Sequence, residues 1–210
     1  MKPLLRFAAV GALAAAAAPA ADFSFYMLSL SYAPNFCAQA GGNKDPRECN
    51  PSRPANFVVH GLWPQNDNGR GPEKCAPARP VRADLVRSML SYIPTESLIQ
   101  HEWATHGTCS GLSADEYFAA IRRVRDSVRI PPAYTDVNRP IATSAQNVED
   151  EFGQANPGIP RSGFRVSCYS DGGLQEVRVC FDKKLNARDC GKAAECTANR
   201  VFLAPMRSGR

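Results

Sequence analysis

The sequence predicts an α+β domain: a central, mostly antiparallel sheet flanked by helices and stapled by disulfides. Three observations predict it. Strand-like patterning stands at both ends of the chain, helical patterning fills the middle, and eight cysteines are spread through 210 residues. Strands and helices grouped separately along a chain favour an α+β arrangement over repeated βαβ units.

Taken in order, Phe23, Phe25, Met27 and the run from Leu28 to Tyr32 form an apolar stretch with partial alternation. It reads as a central strand ending at Ala33-Pro34-Asn35. Residues 38–56 are rich in Gly, Pro, Asn and charge and read as an irregular loop pinned by Cys37 and Cys49. Phe57-Val58-Val59-His60 reads as a buried strand ending at Gly61. A second irregular loop runs from Asn66 to Pro80, and loops of such length inside a compact domain are often functional. Val81 to Tyr92 places Leu85, Met89 and Ile93 at helical spacing ahead of Pro94, and a further helix is expected over residues 96–106. Ser113-Ala114-Asp115-Glu116 is a capping box, in which serine hydroxyl and glutamate satisfy reciprocal backbone donors. It opens a helix through Tyr117, Phe118, Ile121, Val124 and Val128 that Pro131-Pro132 stops. Ser144 to Phe152 reads as a short helix. Residues 164–168 and 174–181 alternate with period two around Asp171-Gly172-Gly173, a hairpin pattern.

Lys2 and Arg6 precede an Ala-rich apolar run that closes on Ala18-Pro19-Ala20, the layout of a secretory signal peptide. Residues 1–20 are therefore expected to be removed, leaving residues 21–210 as a single exported domain in the periplasm or the medium. Losing those two basic residues takes the formal charge from +5 to +3, which permits a polyanionic partner without arguing for one. No later apolar run approaches the roughly 20 residues of a membrane helix, so no membrane association is expected. In an oxidising compartment an even number of cysteines favours disulfides over metal ligation, and no Cys-x-x-Cys pair is present. Eight cysteines allow 105 pairings, among which spacing does not choose.

The chemistry concentrates in two segments. All three histidines lie in Phe57-Val58-Val59-His60-Gly61-Leu62-Trp63-Pro64-Gln65 and in His101-Glu102-Trp103-Ala104-Thr105-His106-Gly107-Thr108-Cys109. On a helix, His101, Thr105, Glu102 and His106 fall in that angular order across an arc of about 140°. Trp103 and Ala104 then point away as the anchor, with Gly107 as the stop. Arg122, Arg123, Arg125 and Arg129 read as a solvated helix face.

Three accounts compete. His-Glu resembles the opening of a zinc-protease motif, but the second histidine stands five residues on instead of four, which rotates it off the stripe. His60, Glu102 and His106 remain an alternative zinc-hydrolase set. Without a metal, two imidazoles across a cleft can act as general base and general acid on RNA, whose 2′-hydroxyl is a built-in nucleophile. DNA lacks that group and cannot follow the route. In the third account the histidines are structural and the domain is a secreted binder of RNA.

At these residues the sequence resembles the ribonuclease T2 family of secreted RNases. His60-Gly61-Leu62-Trp63-Pro64 is similar to the family's first active-site segment. His101-Glu102-Trp103 through His106-Gly107-Thr108-Cys109 is similar to the second. A weaker likeness covers Tyr32-Ala33-Pro34-Asn35-Phe36-Cys37 and the C-terminal cysteines. The resemblance implies an α+β fold and cleavage of single-stranded RNA through 2′,3′-cyclic phosphate ends, with no metal or other cofactor and no cleavage of DNA, by a protein expected to be a monomer. It implies His106 as general base, His60 as general acid, Glu102 as a catalytic carboxylate, and His101 and Thr105 at the phosphate. The position before the second histidine is often lysine in the family. Thr105 brings a hydrogen bond but no charge, which shifts phosphorane stabilisation toward His101. The resemblance implies that Trp63 stacks on a base, against the competing reading of a core tryptophan. By position Gln65 is a candidate for a base edge in the same pocket and Leu98 for the border of a second base site, and Tyr32 and Trp103 are read as core. The implied disulfides are Cys37–Cys49, Cys75–Cys109, Cys168–Cys196 and Cys180–Cys190.

Overall fold

The computed structural model describes residues 21–39, 48–49 and 55–206. The expected signal segment and most of the loop over residues 38–56 lie outside the described residues.

Strand β1 (Phe25–Tyr32) is the spine, buried along almost its whole length. The strand stops at Ala33-Pro34-Asn35 as expected, and a short helix that was not expected starts there, α1 (Ala33–Ala38), with Pro34 in its first turn. A helix start tolerates proline, since the missing N–H would have had no intrahelical partner there. Strand β2 (Phe57–Gln65) does not end at Gly61 but runs on through Pro64. It is an edge strand, where a residue without an N–H is tolerated.

Helices α2 (Ala83–Met89) and α3 (Glu96–Thr105) follow as expected. Thr95 caps α3, its hydroxyl accepting from the Leu98 backbone N–H at 3.1 Å. The capping box at Ser113–Glu116 opens α4 (Ala114–Ser127). Then come β3 (Ile141–Thr143) and α5 (Ala145–Ala155), the latter capped by Ser144. The hairpin of β4 (Phe164–Cys168) and β5 (Leu174–Phe181) turns through Gly172, whose φ of 84° is left-handed and suits glycine. β6 (Val201–Leu203) pairs with β3 in a two-stranded sheet that the sequence reading did not anticipate. Three residues per strand are too few for alternation to register.

The main sheet is antiparallel throughout, in the order β2-β1-β5-β4. On its inner face Leu28, Leu30, Val59, Leu62, Val177 and Val179 meet Met89, Ile99, Phe118, Ile121 and Phe152 from the helices, all fully buried. A smaller apolar cluster of Phe25, Met27, Cys180, Cys190 and Ala193 covers part of the outer face. Four disulfides join Cys37–Cys49, Cys75–Cys109, Cys168–Cys196 and Cys180–Cys190, the pairing that the resemblance implies. Among the described residues no helix is long and apolar enough to cross a membrane.

Candidate active site

The site begins with an irregularity in β2. Ser29 of β1 faces Gly61 while Leu30 faces Val59, so His60 is the extra residue of a β-bulge. Bulges re-aim side chains and often sit beside active sites. Simple alternation would put His60, Leu62 and Pro64 on one face. The bulge instead lets Phe57, Val59, Leu62 and Pro64 all turn to the core, with His60, Trp63 and Gln65 half-buried opposite them.

Helix α3 brings the second segment to the edge of β2. Its buried residues are Ile99, Glu102 and Thr105, while Trp103 and Ala104 are only half-buried. The face carrying the chemistry is therefore itself an anchor of the helix, alongside Trp103, which packs half-buried against the main core as expected. Trp103 packs beside Tyr117, ring centroids 5.9 Å apart. Gly107 does not stop the helix through a left-handed φ; its bare α-carbon makes room for Trp103, whose ring a Cβ would approach to 2.3 Å. The helix ends one residue earlier, with His106 as its C-cap.

Gly61 has a matching role. A Cβ there would lie 1.8 Å from Oε2 of Glu102, so only glycine lets this carboxyl rest against the strand. The Trp63 indole N–H donates to that same oxygen at 2.9 Å. Oε1 lies 3.7 Å from Nε2 of His60 and has no hydrogen-bond partner among the described residues. Burial raises the Glu102 pKa to about 7, against the lowering effects of His60 and Trp63.

His60 is held from its other nitrogen. Nδ1 stands 2.6 Å from Oε1 of Glu176 on β5. Oε2 of Glu176 accepts from Arg178 Nε at 3.0 Å and Nη2 at 2.8 Å. Burial works against the charged form of His60, but the hydrogen bond and charge of Glu176, with the charge of Glu102, outweigh it and raise the pKa above 6.5. Burial likewise opposes ionisation of Glu176, yet His60 and Arg178 hold it well below the usual carboxylate range. The two shifts agree on an ion pair between half-buried His60 and buried Glu176.

His106 is driven the other way. Burial, then the charges of His101 and His60, lower its pKa from 6.5 to about 4. Its Nδ1 is buried without a hydrogen-bond partner among the described residues. Trp63 joins the two imidazoles, with His60 edge-on at 5.1 Å and His106 tilted at 5.4 Å between ring centroids.

The other expected residues divide. His101 is exposed on α3, whereas Thr105 is 5% exposed and offers a ligand little surface. Gln65 shares the face of His60 and Trp63, and Leu98 packs half-buried against the main core. Tyr32 is core, as read. His60, Glu102 and His106 are not arranged as the alternative zinc set, and among the described residues no group of three or more His, Cys, Asp or Glu is placed to hold a metal ion. Sequence reasoning missed Glu176 and Arg178. The signal was two charged residues two apart on an apolar strand, which share one face, but which partner stood opposite depended on strand order.

Fold and sequence together define an endoribonuclease, since residues 23–190 match the Ribonuclease T2 family. The chain belongs to that family. It is 32% identical over 169 residues to a ribonuclease of Aeromonas hydrophila, covering 79% of this chain and 74% of that protein. It is also 32% identical over 187 residues to a probable ribonuclease of Haemophilus influenzae, covering 81% of this chain but 62% of that longer protein. Among solved structures, trichomaglin, an S-like ribonuclease, shares the fold with a TM-score of 0.69 at 21% identity, over 88% of this chain and 99% of its own.

Proposed function

We propose that this protein cleaves single-stranded RNA by metal-independent transesterification, with His106 as general base and His60 as general acid. One observation carries the assignment: both imidazoles lie against Trp63, and their surroundings drive them to opposite protonation states. Their centroids are no further apart than the two separations from the indole laid end to end, roughly 10.5 Å, a span that a ribose and its phosphate can bridge.

Neutral His106 takes the proton of the ribose 2′-hydroxyl, and O2′ attacks the adjacent phosphorus. As the new P–O2′ bond forms, the P–O5′ bond breaks. The departing 5′-oxygen takes a proton from His60, leaving a 2′,3′-cyclic phosphate and a free 5′-hydroxyl. With Nδ1 committed to Glu176, Nε2 is the nitrogen that faces the leaving group. Glu102 orients this imidazolium from beside Nε2. His101, exposed on the same helix, contacts the phosphate, and Trp63, Gln65 and Leu98 border the bases. DNA is not a substrate, because the nucleophile is missing. We place the mature domain, residues 21–210, outside the cytoplasm as a monomer, following the signal-peptide layout of residues 1–20.

The test is to incubate the oxidised protein with single-stranded RNA and with DNA of the same sequence, with and without a chelator, and to identify the 3′ ends. Cyclic phosphate from RNA alone, indifferent to chelator and lost in His60→Ala and His106→Ala, is the expected result. Chelator-sensitive cleavage, or RNA binding without cleavage, overturns the reading.

A further inference from the structure

An RNA chain continues past the cleaved linkage, and each further phosphate carries a negative charge that a cation can meet. The sheet places one nearby. The Arg178 guanidinium lies 5.6 Å from the centre of the Trp63 ring, the same indole against which His60 and His106 pack. Its Nε and Nη2 both reach a single oxygen of Glu176, and among the described residues Nη1 has no hydrogen-bond partner. An arginine has five N–H donors, so this one keeps donors in reserve. Its neighbour across the strands, Arg165, is spent instead on the carbonyls of Ser162, Phe164 and Gly191 and on the carboxylate of Glu195.

Arg178 also borders a cavity of about 370 Å³ with Ser167, Tyr169, Ser170, Glu195 and Thr197. Four of these residues are hydroxyl-bearing, and the single carboxylate, Glu195, is paired with Arg165 at 2.7 Å. Hydroxyls around a guanidinium with donors to spare suit a phosphodiester oxygen. The cavity opens on the acid's side of the site, because one carboxylate, Glu176, joins Arg178 to His60.

We propose that Arg178 and this cavity form a subsite for the RNA backbone on the 3′ side of the cleaved linkage, where Arg178 binds the first phosphate beyond the leaving nucleoside. The inference rests on the reading of His60 as the acid, which places the leaving 5′-oxygen on that side. Only a substrate extended past the leaving nucleoside can reach the subsite.

The experiment compares kcat/KM for a dinucleoside monophosphate with that for the same compound carrying a 3′-phosphate, and uses a 5′-phosphate as control. Wild type is expected to favour the 3′-phosphorylated compound by roughly ten- to a hundred-fold, the yield of a hydrogen bond to a charged group, with no comparable gain from the 5′-phosphate. The readout is the ratio between substrates, so general damage to the site cancels. In Arg178→Gln the ratio falls toward one, Arg178→Lys restores part of it, and Thr197→Trp, which fills the cavity from its exposed rim, lowers it again. A wild-type ratio near one overturns the subsite. So does an Arg178→Gln ratio equal to wild type with both substrates slowed alike, which would make Arg178 only a prop for Glu176. Failure of the wild type to form cyclic phosphate from either compound would instead defeat the parent reading.

Discussion

On its inner face the four-stranded sheet presents Leu28, Leu30, Val59, Leu62, Val177 and Val179; on its outer face the same strands present Ser29, His60, Trp63, Glu176 and Arg178. Side chains alternate along each strand, so the two surfaces are interleaved residue by residue. The inner surface stabilises the fold through area removed from water, an effect that tolerates many arrangements. The outer one depends on individual distances: 2.6 Å from His60 to Glu176, 2.9 Å from Trp63 to Glu102. Against this face and the helix beside it, Nδ1 of His106, Oε1 of Glu102 and Oγ of Ser29 are buried with no hydrogen-bond partner among the described residues. A buried polar atom without a partner is costly. The contrast teaches that within the sheet stability and chemistry share strands but not side chains, so there they should separate under mutation.

The largest expected effect is on rate alone. His106→Ala should slow cyclic-phosphate formation by about 10²- to 10⁴-fold, with the thermal midpoint little changed, since it removes an imidazole that has no hydrogen bond at Nδ1 among the described residues. A comparable loss of folded protein in a melting curve would break the separation. Leu30→Ala should do the reverse, costing about 2 to 5 kcal/mol of stability in denaturant unfolding, while turnover per folded molecule stays at the wild-type value.

Cys75→Ser probes where the two surfaces meet. The Cys75–Cys109 bridge ties the loop after β2 to the turn that follows His106. Its loss is expected to cost about 2 to 5 kcal/mol and to lower turnover as well; an unchanged melting temperature together with unchanged turnover would contradict this.

The smallest effect is a displacement in pH. Base and acid require His106 neutral and His60 charged, so the rate should rise as pH passes His106's value of about 4 and fall as it passes the raised value of His60, above 6.5. Glu176→Gln removes the negative charge that raises His60, so the alkaline limb should move to lower pH while the acid limb near 4 stays. Rate profiles of the two proteins across that range decide it, and an alkaline limb that does not move would mean that Glu176 leaves the acid's charge state alone.

Much of this was legible in the sequence. Periodicity placed β1, α2, α3, α5 and the β4–β5 hairpin, and Ser113–Glu116 marked the start of α4 outright, because capping and alternation are local effects written within a few residues. The two histidine segments stood out for the same reason. What escaped was the bulge at His60, the continuation of β2 through Pro64, and the β3–β6 pair, since each depends on a partner strand that no local window contains. The burial of Glu102 and Thr105 was not foreseen, because helical angle says which residues share a face but not which face meets the core.

The sequence by itself determined which residue types were available: three histidines, the glycines at 61 and 107, and the cysteines. Tertiary structure alone decided their charge. Only when β5 lies beside β1, across from β2, does Glu176 come within reach of His60, more than a hundred residues earlier in the chain. The protonation state of an imidazole depends on burial and on charges a few ångströms away, and those neighbours exist only once the chain has folded.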